Sequence, residues 1–196
     1  MLIYMIRHGQ TDWNAEGRFQ GQHDIPLNAT GRGQASLNGE TLAHVLGNEA
    51  TSFDYVASPL SRTRETMERL RDAMGLEPQD YRTDDRLKEI CFGDWEGQTY
   101  HELAKADPER IAARALDKWS FIPPGDHAES YEILSWRIGA WMNEIARPTI
   151  CVAHGGVIRT ILKLVGGHSA DDACEINIPQ DRILRIRRDG GQALWM

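Results

Sequence analysis

Apolar positions along the chain fall into short continuous runs set between longer stretches with helical spacing. Residues 2–6 (LIYMI), 53–57 (FDYVA) and 149–153 (TICVA) read as buried strands, too short for helices and rich in β-branched or aromatic residues. Between them, Thr30 is expected to cap a helix over 31–46, with Ala35, Leu42, Val45 and Leu46 on its inner face and Gly47 as its stop. Ser58-Pro59 is expected to open a second helix running to Met74 before Gly75. Residues 80–90 read as extended and 91–98 as loop, followed by two short helices near 99–106 and 108–118. Pro123, Pro124 and Gly125 exclude regular structure over 120–129. Ser130 caps a helix through about Ala146, and Gly155-Gly156 leads into an apolar helix ending at Gly166-Gly167. The tail, 174–195, reads as two or three strands with Asp189-Gly190 as a hairpin turn. Residues 8–28, holding Gly9, Gly17, Gly21 and Pro26, read as one long irregular loop.

This alternation predicts an α/β fold, a three-layer α/β/α sandwich with a mostly parallel central sheet. A length of 196 residues suits a single domain over 1–196, with 91–130 as a helical and loop excursion above the sheet. Such a chain buries enough apolar surface to fold without disulfides or a metal.

Charge and cysteine content narrow the partners. The formal net charge of −7 argues against nucleic acid and anionic membrane, though a local Arg cluster can still hold a small anion. Three cysteines without a CxxC spacing point to a reducing, cytoplasmic setting. The apolar run before Arg7 is too short for a signal peptide, and no run of about 18 apolar residues would cross a membrane. The sequence is compatible with a homodimer.

The chemistry gathers at strand ends, where open α/β sheets bind ligands. LIYMI is followed by Arg7-His8-Gly9, and TICVA by His154-Gly155-Gly156. FDYVA is followed by Ser58-Pro59-Leu60-Ser61-Arg62, where a helix N-terminus with free N–H groups would favour an anion. Two Arg, two His and a helix start at one rim make an anion pocket. A neutral imidazole at His8 is a competent nucleophile towards phosphorus. Arg7 and Arg62 would hold the equatorial oxygens with planar forks, and would disfavour protonation of His8 in the empty site. The leaving alkoxide needs a proton. Glu89 is the best-placed acid, with Asp12, Asp94 and Glu96 as rivals.

Structural explanations compete with some of these readings. Arg64, Arg69 and Arg71 are expected on a solvated helix face. Trp13, Phe19 and Trp95 are expected to pack. The GxG at 31–33 follows no strand directly, and neither a GxxxxGK[ST] loop nor an HExxH pair occurs, so neither a nucleotide cofactor nor a zinc site is expected.

Arg7-His8-Gly9-Gln10-Thr11-Asp12-Trp13-Asn14 resembles the RHG(E/Q)TxWN signature of the histidine phosphatase superfamily, which includes cofactor-dependent phosphoglycerate mutases. The likeness continues in order through 17–35, 58–66, 87–97 and 152–159, and so covers nearly the whole chain. It implies a phosphoglycerate mutase-like fold, a phosphatase-branch activity and no metal. It also implies that His8 is phosphorylated, that Arg7, Arg62, His154 and Asn14 surround the phosphoryl group, and that Gln20 lies close to it. Glu89 would be proton donor and then base. Many relatives carry a compact Pro-Gly-Gly-Glu-Ser where this chain has the longer 123–130, so that segment is expected to bear on the substrate. The expected partner is a phosphorylated small molecule. Sugar phosphates, phosphorylated cofactor precursors such as α-ribazole phosphate, nucleotides and phosphoproteins are the options weighed. Lys105, Arg110, Arg114 and Lys118 form no paired Arg motif for a second anionic group, which favours hydrolysis over mutase-type phosphoryl transfer. A non-catalytic phosphate-binding or scaffold protein is the remaining alternative.

Overall fold

The computed structural model describes residues 2–187 and 192–196. In chain order the elements are β1 (Leu2–Arg7), α1 (Asp12–Ala15), α2 (Ala29–Leu46), β2 (Asp54–Ala57), α3 (Ser61–Ala73) and β3 (Arg82–Thr83). They continue with α4 (Tyr100–Ala106), α5 (Pro108–Leu116), α6 (Tyr131–Glu144), β4 (Thr149–Ala153), α7 (Gly155–Gly166), α8 (Ala170–Glu175), β5 (Ile183–Arg187) and β6 (Gln192–Trp195). The sheet order is β3-β2-β4-β1-β5-β6. β3, β2, β4 and β1 are mutually parallel, and β5 and β6 add antiparallel pairs.

Alternate residues of each strand feed opposite faces, as the pleat requires. Ile3, Met5, Cys151 and Ala153 face α6 and α7 through Leu134, Ile138, Trp141, Val157 and Ile161. Tyr4, Ile6, Ile150 and Val152 face α2 and α3 through Leu42, Leu46, Met67 and Leu70. Both faces are covered, which is why β1 and β4 read as unbroken apolar runs. Within 91–130, Trp95, Leu103 and Ile111 form a separate small cluster with Phe19, Phe92 and Phe121.

Several boundaries differ from the sequence reading. The α2 cap is Asn28, whose side chain accepts from the Gly31 N–H, so the helix starts before Thr30. The α3 helix starts only at Ser61, because Ser58 N–H still extends the strand ladder to the Val152 carbonyl. Loop 8–28 contains α1, set by a Thr11–Asn14 capping box. Of 80–90, only Arg82–Thr83 pairs as a strand, and 85–87 forms a 3₁₀ turn. Residues 174–175 are the end of α8, which Ser169 caps, so the first strand of the tail, β5, starts only at Ile183. Asp189-Gly190 lies outside the described residues. Arg71 does not face solvent: it is 4% exposed, stacked on the Tyr55 ring at 4.2 Å and bonded to the Glu77 carbonyl. Among the described residues, no helix is long and apolar enough to cross a membrane.

Candidate active site

Register brings the chemistry together. Arg7 pairs with Ala153 and Ala57 with Val152, so the C-terminal ends of β1, β4 and β2 are level. The ladder continues one residue further, His8 N–H donating to the Ala153 carbonyl at 3.0 Å. His8 and His154 therefore leave adjacent strands side by side, their ring centroids 5.2 Å apart and edge to face. Both are buried, at 2% and 0% exposure. His154 Nε2 lies 2.8 Å from the Ser58 hydroxyl at the end of β2.

His8 Nδ1 is 2.8 Å from the Gly9 carbonyl. A carbonyl only accepts, so Nδ1 carries the proton and Nε2 keeps its lone pair. Burial, then the charges of Arg62 and Arg7, hold the His8 pKa well below the usual histidine value. The same causes, with His8 itself, depress His154. Gly9 is required sterically: a Cβ there would overlap the Gly31 carbonyl of α2. Gly9 N–H donates to the Thr66 hydroxyl, which in turn donates to the Arg62 carbonyl, tying the loop to α3.

The two guanidiniums are held by loop carbonyls. Arg7 Nη1 donates to Ile178 at 2.8 Å. Arg62 donates to His23 at 2.6 Å and to Gly21 at 2.8 Å. Burial lowers both pKa values, that of Arg7 to about 10, so both remain cations at neutral pH. Five buried side-chain N or O atoms among the described residues have no partner, and four lie here: Arg7 Nε, Arg62 Nε, His154 Nδ1 and Gln20 Oε1. Native interiors rarely leave such atoms unpaired, so their grouping around His8 marks a site built for a polar ligand.

The α3 N-terminus does not offer free N–H groups to that ligand. Asp24 from loop 8–28 accepts from both the N–H and the hydroxyl of Ser61, so a protein carboxylate already occupies the helix end. The helix start that borders the cavity belongs to α7, through Gly155 and Gly156. Glu89 is fastened there, its carboxylate accepting from Gly156 N–H at 3.1 Å and Ile90 N–H at 3.0 Å.

Arg7, His8, Asn14, Gln20, Arg62 and Glu89 all line one cavity of about 320 Å³. His154 touches the His8 ring without lining it. Asn14 is oriented by Thr11 N–H and by Gln180, whose amide also donates to the His8 carbonyl. Of the rival acids, Asp12 is exposed. Glu96 is bound up in loop contacts, accepting from Gln22 N–H and Phe92 N–H at 3.0 Å each and meeting His23 Nδ1. Glu89 is the one carboxylate among the described residues lining the cavity. Phe19 lines the cavity, while Trp95 is core.

One expectation needs correction. No residue of 123–130 lines the cavity among the described residues. The segment acts from behind, because Glu129 pairs with Arg137, which donates to the Lys88 and Glu89 carbonyls. Arg114 and Lys118 from the excursion line the cavity together with Arg159 of α7 and Arg18. Gln180, Arg159 and Tyr131 were not singled out from sequence. Arg159 ends the fifth matching motif, and that was its only signal. Among the described residues, no cluster of three or more His, Cys, Asp or Glu could hold a metal ion.

The profile of the histidine phosphatase superfamily (branch 1) matches residues 3–195. Glucosyl-3-phosphoglycerate phosphatase of Mycolicibacterium vanbaalenii is 33% identical over 181 residues, which span 87% of this chain and 76% of that protein. A probable phosphoglycerate mutase of Shigella boydii is 32% identical over 205 residues, spanning 100% of this chain and 88% of that one. The solved structure of a putative α-ribazole-5′-P phosphatase from Escherichia coli superposes with a TM-score of 0.79 at 26% identity, covering 100% of this chain and 94% of that one. With sequence, fold and site in agreement along almost its full length, the chain belongs to the histidine phosphatase superfamily, branch 1.

Proposed function

We propose that this protein is a phosphomonoesterase working through a phosphohistidine on His8. The observation that carries the reading is a buried, neutral imidazole with a free Nε2, set among three unpartnered nitrogens of Arg7, Arg62 and His154. In this reading Nε2 attacks phosphorus in line, and the bond to the ester oxygen breaks. Arg7 and Arg62 stabilise the equatorial oxygens, with His154, Asn14 and Gln20 completing the cradle. Glu89 gives its proton to the leaving alkoxide. The resulting carboxylate then takes a proton from the water that cleaves the phosphohistidine, releasing inorganic phosphate and restoring both groups. As the one carboxylate on the cavity wall among the described residues, Glu89 is better placed for this than Asp12, Asp94 or Glu96.

A cavity of about 320 Å³ suits a small phosphorylated molecule better than a folded phosphoprotein. We take the chain to act as one domain in the cytoplasm, with the excursion at 91–130 reaching the cavity through Phe92, Arg114 and Lys118. Rapid quench with an aryl phosphate should trap an acid-labile phosphoramidate on the protein. His8→Ala and His8→Asn should each abolish it and cut turnover by at least about 10⁴-fold, with EDTA without effect. Turnover surviving in both variants refutes the nucleophile. Isomerisation of 3-phosphoglycerate outpacing phosphate release would favour the mutase alternative.

A further inference from the structure

Behind the cavity, Arg137 of α6 spends its whole planar fork on the stretch of backbone that carries Glu89. Its side chain is 20% exposed, and each N–H of the guanidinium has an acceptor. Nη1 donates to the Arg86 carbonyl and, at 2.7 Å, to that of Lys88. Nη2 donates to the Glu89 carbonyl at 3.0 Å and to the Glu129 carboxylate at 2.8 Å, while Nε donates to the same carboxylate at 2.9 Å. Glu129 in turn grips the chain just beyond Glu89. Its carboxylate accepts from Cys91 N–H at 3.0 Å, and its own N–H donates to the Cys91 carbonyl at 2.9 Å.

A guanidinium that only closed the 3₁₀ turn at 85–87 would need the Arg86 and Lys88 carbonyls and no more. The third carbonyl belongs to Glu89 itself, and it also accepts from the Gln22 side chain at 3.1 Å. Glu89 is therefore held twice. Its main chain is held from α6, and its carboxylate from Gly156 N–H of α7 and from Ile90 N–H. Leu87 and Ile90, at 0% and 2% exposure, lock the chain into the core on either side. Transfer of a proton to a leaving oxygen is steeply sensitive to a misplacement of about 1 Å, so the stiffness of this mount bears on the chemistry. Neither Arg137 nor Glu129 lines the cavity among the described residues.

We propose that Arg137, braced by Glu129, is the positioning residue for Glu89, holding the backbone of the acid so that its carboxyl reaches the leaving-group oxygen. This rests on the reading of Glu89 as the proton donor of a phosphatase. It also gives 123–130 a part in the reaction: the segment delivers Glu129, and so works through the acid and not through the cavity wall.

The test measures kcat/KM for a nitrophenyl phosphate, whose leaving group needs little help from an acid, and for an alkyl phosphate, whose leaving group needs a proton. Arg137→Met should lower the alkyl value about 10–100-fold and the nitrophenyl value about threefold at most, so that their ratio falls by about tenfold. In a Glu89→Gln background there is no proton left to place, and Arg137→Met should leave the ratio where Glu89→Gln put it. A general loss of stability, followed by calorimetry on the same preparations, lowers Tm without producing that pattern. Arg137→Lys separates placement from charge. It keeps the charge, which after burial, Arg62, His8 and Arg7 also helps to hold the His154 pKa down, but an ammonium cannot span three carbonyls, so its ratio should fall as well. A wild-type ratio in either folded variant, or an equal fall in the Glu89→Gln background, overturns the positioning role; if Arg137→Met does not fold, Arg137→Lys decides alone. A wild-type ratio in Glu89→Gln overturns the proton-donor reading and this proposal with it. No phosphate release from either ester by the wild-type enzyme overturns the phosphatase reading itself.

Discussion

Glu96 was a rival for the proton donor, and its surroundings assign it a different task that mutation can measure. Its carboxylate is 6% exposed and accepts from the N–H groups of Gln22 and Phe92, both at 3.0 Å, while its second oxygen meets His23 Nδ1. The backbone it fastens, Gly21–His23, supplies both carbonyls that hold Arg62. Gly21 has φ +50°, and a Cβ there would overlap the Glu96 carboxylate, so loop and acid are fitted to each other. Glu96→Ala strips two backbone donors of their acceptor. Each is worth about 1–3 kcal/mol when water cannot replace it, and the loop is partly exposed, so a loss of about 2–3 kcal/mol in total is expected. For a chain of this size that lowers Tm by about 5–10 °C. Because Arg62 loses its anchors, kcat/KM for an aryl phosphate should also fall about 10–100-fold. Glu96→Gln retains an acceptor oxygen and should recover most of the stability. Calorimetry and phosphate release on the same preparations check both effects. A Glu96→Ala protein with unchanged Tm and unchanged kcat/KM would show that this carboxylate organises nothing.

Three further outcomes are expected. Glu89→Gln should slow hydrolysis of an alkyl phosphate by about 10²-fold or more and that of a good-leaving-group aryl phosphate far less; equal losses on both would sink the proton-donor role. Gly9→Ala forces a Cβ into the Gly31 carbonyl and should cost about 1–3 kcal/mol with loss of turnover, read by urea unfolding. Stability should also depend on pH through His8 and His154. Both are held below 6.5 when folded, so below 6.5 the unfolded chain binds protons that the folded chain does not. Their contribution is therefore present above pH 6.5 and is lost as pH falls, by up to about 1.4 kcal/mol per pH unit for each histidine. Urea unfolding from about pH 7.5 to about pH 5.5 should show this slope, and His8→Asn should remove roughly one proton from it. A flat profile in the wild type contradicts the neutral, buried pair.

The sequence by itself determined the frame. Continuous apolar runs marked β1, β2 and β4 because strands buried on both faces have no polar side to display. Local punctuation at Gly47, Ser130 and Gly155-Gly156 marked helix ends, since caps act within a few residues. The strand-end position of Arg7, His8 and His154 was legible for the same reason. Tertiary structure decided what holds these residues and what else joins them. Asp24 caps α3 from 37 residues away, and Gln180 reaches His8 across 172. Arg114, read only as one of four basic residues without a paired motif, and Arg159, not singled out at all, line one cavity from α5 and α7. No local spacing encodes such a meeting. It follows from how the layers pack, and the cavity wall it produces exists only once the chain is folded.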